Sequence, residues 1–198
     1  MMSSPPPLPQ PDSLPDNLPR PTDDGGARHL PGQALPPITL PATSGSLVRL
    51  DRVADGRSVL FIYPSTGKPG EPIPIGWNEI PGARGCSHEA CGFRDNIVAF
   101  ERLGIEAVLA LSSDRTEYQQ AVVRRFYLPY LMLSDPELSL AAALKLPTFQ
   151  ALGKTLYKRL TMILRDSTIE HVFYPIFPPD THAAEVLDWL TANPLKAS

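Results

Sequence analysis

The sequence lacks several features that would narrow its function at once. No apolar run approaches the roughly 18 residues of a membrane-spanning helix, so no such span is expected. Basic residues are not in excess: 18 Lys and Arg face 21 Asp and Glu, a net charge of −3. That balance leaves no electrostatic footprint for nucleic acid, and the pairs Arg124-Arg125 and Lys158-Arg159 are too few to make one. The first twenty residues have neither the basic start nor the apolar stretch of a secretory signal. The chain is therefore expected in a reducing, cytoplasmic compartment, where thiols persist as thiols. Cysteine is scarce, with two in 198 residues, and in such a compartment that pair needs an explanation other than a structural staple.

Proline is present in excess: 24 residues, half of them within the first 41 positions. Residues 1–34 have few large apolar side chains and little periodicity, and read as a Pro-rich, flexible or surface-draped arm. Residues 35–195 read as one folded domain, and a hydrophobic content of 42% is enough for its core. Within it, 46–50, 57–63, 105–111 and 131–133 have strand character, and 158–164 with 168–174 predict a hairpin around Asp166-Ser167. Phe93, Ile97 and Phe100 recur at the helical period, predicting one helix from Cys86 to Leu103 with Gly104 as its stop. Further helices are expected from an N-cap at Asp114 to Phe126, over 137–144 and over 182–190. Strands alternating with helices, then a closing hairpin and helix, imply an α/β fold with a mixed sheet flanked by helices. Between Pro64 and Gly85 lie five prolines and five glycines, a long loop of the kind that tends to be functional.

The dense chemistry follows that loop, in Gly85-Cys86-Ser87-His88-Glu89-Ala90-Cys91-Gly92-Phe93-Arg94-Asp95. Cys86 opens the predicted helix, where free amides and the helix dipole favour an anion. The expectation is a thiol shifted toward its nucleophilic thiolate. Cys91 stands five residues on. In an intact helix that spacing separates the two Cα atoms by roughly 8.7 Å, on different faces. A disulfide needs about 7 Å or less, so the pair can close only if the first turn unwinds. Inert buried thiols are the plain alternative. Zinc held by Cys86, His88 and Cys91 is disfavoured, because a fourth ligand is missing and His29, His171 and His182 are scattered.

The run from Cys86 to Asp95 resembles the active-site signature of the bacterioferritin comigratory protein, or peroxiredoxin Q, subfamily of peroxiredoxins. The resemblance continues in Leu40 to Pro64, in Leu103 to Ser113, in Phe126-Tyr-Leu-Pro-Tyr-Leu-Met-Leu-Ser-Asp135 and in Arg159-Leu-Thr161. It implies a thioredoxin-like fold and a thiol peroxidase with no metal or organic cofactor. Its substrate would be hydrogen peroxide or an organic hydroperoxide, its recycling partner thioredoxin or a similar dithiol, and its state a monomer or weak homodimer. By position, Cys86 would be the peroxidatic cysteine, Cys91 the resolving cysteine, Arg159 the activating arginine and Glu89 the residue that orients it.

One departure from the family pattern bears on the site. Relatives carry Thr or Ser three residues before the peroxidatic cysteine and Pro seven before, where this chain has Ala83 and Glu79. Pro64 stands 22 positions before Cys86, so an insertion at about 65–85 separates them. The missing hydroxyl is expected from Thr66, with Ser65, Ser87 or a backbone group as alternatives. A slow enzyme, or a thioredoxin-fold peroxide sensor or redox-regulated binding module, is the competing reading. Two other signals fail. Gly153-Lys154-Thr155 lacks the upstream glycine and following helix of a P-loop, and no Gly-x-Ser-x-Gly elbow supports a hydrolase triad. The aromatic, Pro-rich stretch 174–179 is expected to pack over the core, with lining the active-site rim as the alternative.

Overall fold

In strand β3 (Arg57–Ile62) all six residues are buried, and a strand buried on both faces must be covered on both. The structure, a computed structural model, describes residues 6–53 and 55–195. After a small antiparallel ribbon, β1 (Thr39–Pro41) with β2 (Leu47–Arg49), come β3, α1 (Cys86–Asp95), α2 (Ile97–Arg102), β4 (Ile105–Ser112), α3 (Thr116–Phe126) and β5 (Leu131–Ser134). Helix α4 (Ser139–Leu144), a second ribbon of β6 (Thr148–Ala151) and β7 (Lys154–Tyr157), strands β8 (Leu160–Arg165) and β9 (Thr168–Phe173), and α5 (His182–Ala192) complete the chain. The central sheet has the order β5-β4-β3-β8-β9. β3, β4 and β5 run parallel, and β8 and β9 are antiparallel to their neighbours. This is the mixed, helix-flanked α/β sheet that the alternation of elements implies.

The period of two along β3 divides the core. Val59 and Phe61 join Phe93, Phe100, Val122, Val186 and both cysteines on one side. Leu60 and Ile62 join Leu30, Leu35, Leu140, Leu144 and Leu164 on the other. Phe61 stacks on Phe93 with ring centroids 4.4 Å apart, which fixes α1 over the end of β3 from which the long loop departs.

Three local expectations are corrected. The helix expected from Cys86 to Leu103 is two helices, interrupted at Asn96, whose side-chain amide donates to the Gly92 carbonyl (2.8 Å) and competes with the backbone ladder. Helix α3 begins at Thr116 with no side-chain cap, because the Asp114 carboxylate is engaged by the loop after β3. The β6–β7 hairpin escapes sequence reading because Leu152, not only Gly153, takes a positive φ in its turn. The β8–β9 hairpin turns at Asp166-Ser167, both at positive φ, as its sequence predicts.

Upstream of β1, residues 6–34 form no helix or strand and lie along the body. Arg94 donates to the Pro9 carbonyl (2.7 Å) and Gln10 to Asp95 (3.3 Å). Asp24 accepts from Lys158 and Tyr174, both at 2.7 Å, and these bonds hold its carboxyl below the usual carboxylate range. Ala27 and Leu30 are buried, so the core begins before position 35. Backbone bonds between Gly32-Gln33 and Ile169, with a bridge from Ala34 to Thr168, cover the free edge of β9. Among the described residues no helix is long and apolar enough to cross a membrane.

Candidate active site

Cys86 is the first residue of α1, and the turn that delivers it depends on Gly85. That residue has φ of 99°, in the left-handed region, and a Cβ there would stand 2.3 Å from Pro179 Cγ. Only glycine meets both conditions. Cys86 is 3% exposed, and its thiol donates to the Ala83 carbonyl at 3.5 Å.

Arg159, just ahead of β8, reaches the same point from the sheet. Its Nη2 lies 3.1 Å from Cys86 Sγ and also donates to the carbonyls of Arg84 (3.1 Å) and Ala83 (3.5 Å). Its Nη1 pairs with the Glu89 carboxylate, one helical turn beyond Cys86. Arginine and glutamate are both buried, so this planar fork joins the loop end, the sulfur and α1 in one dry cluster. Burial opposes the Arg159 charge, but Cys86 and Glu89 hold the guanidinium above its ordinary pKa. Burial pushes Glu89 up, against the pull of Arg159 and of His182.

Burial is also the largest influence on Cys86 and pushes its thiol up. Arg159 pulls it down, Glu89 pushes it up again, and the Ser65 amide and the Arg159 hydrogen bond favour the anion. The net direction is upward, the reverse of the expectation from helix position alone, because burial of the sulfur outweighs the groups that favour its anion. Cys91 lies on the same unbroken helix, buried among the aromatic residues of the core. Burial pushes its thiol up to about 11. Both thiols are free. The carbonyl of Ala90, next to Cys91, accepts from the buried Tyr130 hydroxyl at 2.6 Å.

Above Cys86 opens a cavity of about 810 Å³. Ser65 to Pro74 and Trp77 line one wall; Ser113 to Arg115, Tyr118 and Phe126 line another; Leu152, Lys154 and Thr155 of the β6–β7 hairpin reach its rim. The insertion therefore shapes the approach to the sulfur. Thr66 lines the same cavity and is 6% exposed, and its hydroxyl has no hydrogen-bond partner. The Ser65 hydroxyl is engaged elsewhere, donating to Asp114 at 2.7 Å. Ser87 lines the cavity as well.

The Redoxin family model matches residues 30–187 of this chain. The chain belongs to the Redoxin family. Within it, this redoxin is a peroxiredoxin of the bcp and Q kind. It is 30% identical over 162 residues to the chloroplastic peroxiredoxin Q of Arabidopsis thaliana, an alignment covering 81% of this chain and 67% of that protein. It is 29% identical over 160 residues to the chloroplastic peroxiredoxin Q of Sedum lineare, covering 80% and 76%. Among solved structures it is similar to the peroxidoxin BcpB of Mycobacterium tuberculosis, with a TM-score of 0.67, 28% identity, and coverage of 85% of this chain and 100% of that one. A mutant PrxQ of Xylella fastidiosa shares the fold, with a TM-score of 0.67 at 20% identity.

In this redoxin Cys86, Arg159, Glu89 and Thr66 converge on one end of the sheet, whereas Cys91 stays within the helix and the core. Two residues at the site went unread in the sequence. Asp114 is expected as a helix cap, and Tyr118 is not singled out. A buried carboxylate directly after a strand was the available signal, and it was assigned to the wrong partner. The stretch 174–179 does both things expected of it: Ile176 is buried in the core, Pro179 abuts Gly85 beside the site, and Arg20 of the arm lies over the Phe177 ring, 4.9 Å from its centroid.

Proposed function

We propose that this peroxidase reduces hydrogen peroxide or organic hydroperoxides at Cys86, that Cys91 resolves the product as an intramolecular disulfide, and that thioredoxin or a similar dithiol restores both thiols. The observation that carries the reading is the Arg159 guanidinium 3.1 Å from Cys86 Sγ at the floor of an open cavity. In the first step the Cys86 thiolate attacks one peroxide oxygen and the O–O bond breaks. The second oxygen takes a proton and leaves as water or alcohol, and Cys86 becomes a sulfenic acid. Negative charge develops on the leaving oxygen where Arg159 and the Thr66 hydroxyl can donate to it, which is where fixed donors act most strongly. Glu89 holds the guanidinium in its plane. In the second step the Cys91 sulfur displaces hydroxide from the sulfenic acid, water departs, and the disulfide forms. The first turn of α1 opens to allow it.

Mixing reduced protein with one equivalent of hydrogen peroxide in a stopped-flow instrument tests the reading. Stoichiometric consumption and mass detection of an 86–91 bond are expected. Cys86→Ser should consume none, and full consumption by that variant would remove Cys86 from the reaction. Cys91→Ser should complete a single turnover and then cycle poorly with thioredoxin. The burial that raises both thiols favours the slower, sensor-like reading. Turnover comparable to other thiol peroxidases would decide against it.

A further inference from the structure

The segment that leaves β3 has no ladder to hold it. Tyr63 makes the last backbone bond of the strand, to Leu111, and Ser65 to Lys68 have no regular structure. Backbone groups buried in such a stretch must find other partners, and here two side chains supply them. The Asp114 carboxylate accepts the Thr66 amide at 3.2 Å with one oxygen and the Ser65 hydroxyl at 2.7 Å with the other. The Tyr118 hydroxyl donates to the Thr66 carbonyl at 2.5 Å. Thr66 is thus gripped at both ends of its main chain; the residue lines the cavity over Cys86, and its own hydroxyl is buried without a partner.

The clamp is itself braced. The Asp114 amide donates to Ser112 Oγ (3.1 Å), which also accepts from the Gln119 amide (3.1 Å), and the Asp114 carbonyl accepts from Ser134 Oγ (2.7 Å). These residues belong to the ends of β4 and β5 and to α3, the rigid part of the fold. Burial pushes the Tyr118 phenol up to about 12, so it remains a donor throughout the neutral range.

We infer that Asp114 and Tyr118 are positioning residues for peroxide reduction: they fix the main chain of Thr66 so that its hydroxyl serves the reacting sulfur and oxygen. The inference rests on the reading of Cys86 as the peroxide-reducing thiol. It explains how this chain can manage without a hydroxyl residue three positions before that cysteine. A threonine twenty positions upstream is brought to the site from the strand end, and the insertion between them loops out without moving it. Neither clamp residue has to touch the substrate.

The test measures the second-order rate constant of reduced full-length protein with hydrogen peroxide and, separately, the rate of disulfide formation that follows. Thr66→Val should lower the first by roughly 100-fold, the loss typical of one charge-stabilising donor. Thr66→Ser should restore it. Tyr118→Phe and Asp114→Asn should each lower it about tenfold, within the roughly 100-fold that a misplaced group can cost, and leave disulfide formation unchanged, since a general loss of structure would alter both. Because Tyr118 acts through Thr66, the double variant Thr66→Val/Tyr118→Phe should be no slower than Thr66→Val alone. Parental rates in Tyr118→Phe, or losses that multiply in the double variant, overturn the clamp. Should Asp114→Asn not fold, the Tyr118 arm decides by itself. Cys86→Ser is measured alongside: consumption abolished there but undiminished in Tyr118→Phe sinks only the clamp, whereas consumption persisting in Cys86→Ser sinks the assignment beneath it.

Discussion

Arg159 carries the most concentrated chemistry at the residue scale, because one guanidinium addresses a thiol, a carboxylate and two main-chain carbonyls at once. A lysine has the charge without the planar fork and can satisfy only part of that set. Arg159→Lys should therefore fold but react with peroxide on the order of 100-fold more slowly, measured as single-turnover consumption by reduced protein. Cys91 makes a prediction about pH. Its folded-state pKa of about 11 stands above the ordinary thiol value of 9.0, so the folded state binds the proton more tightly than the unfolded chain does. The stability this gives is complete below the unfolded value and is lost as pH rises through the folded one. Thermal melts of reduced protein should fall between about pH 9 and 11, and Cys91→Ala should flatten that slope. A melting temperature constant across the window in the parent would contradict the burial argument.

At the scale of elements, the sequence made the strands and the order of the layers readable because apolar periodicity survives whatever packs against it. β3, β4 and β5, the β8–β9 hairpin and α5 were legible for that reason. The break at Asn96 was hidden because Phe93, Ile97 and Phe100 still follow the helical period across it. The β6–β7 hairpin was hidden by a leucine in a conformation that leucine seldom takes. At the site, Cys86, Glu89 and Arg159 are singled out by their resemblance to a known signature, and Thr66 by the absence of its usual counterpart, whereas Cys91, from the same signature, lies in the core. Asp114 and Tyr118 were not legible there, since their partners lie 48 and 52 residues away in sequence. The start of α1 makes a prediction of its own. Gly85→Ala would force a side chain into a left-handed turn, which costs about 1–2 kcal/mol, and also against Pro179. It should lower the denaturation midpoint and slow peroxide reduction, because the same displacement moves Cys86. Parental values for both would mean that the turn is not under constraint.

Over the whole molecule, one sheet separates two unequal tasks. The face carrying Leu60 and Ile62 is packed with aliphatic residues from the start of the chain through α4 and β9. The face carrying Val59 and Phe61 includes both thiols and the helix that bears them. Strong packing behind the sheet suits the proposed reaction, which needs a fixed arginine and a sulfur that travels.

The bonds from Pro9 and Gln10 to Arg94 and Asp95 would carry the proposed movement to the outside of the protein. They fasten the leading segment to the helix whose first turn, in the proposed mechanism, comes apart when the two sulfurs join. Oxidation at the buried centre should then loosen a stretch of chain at the surface, so that the history of the sulfur can be read by anything able to grip that stretch. Limited proteolysis should cut within about residues 8–14 faster in the disulfide form than in the reduced one, with Cys91→Ser showing no such difference after peroxide. Equal cutting in all three would mean that the fastening carries no message.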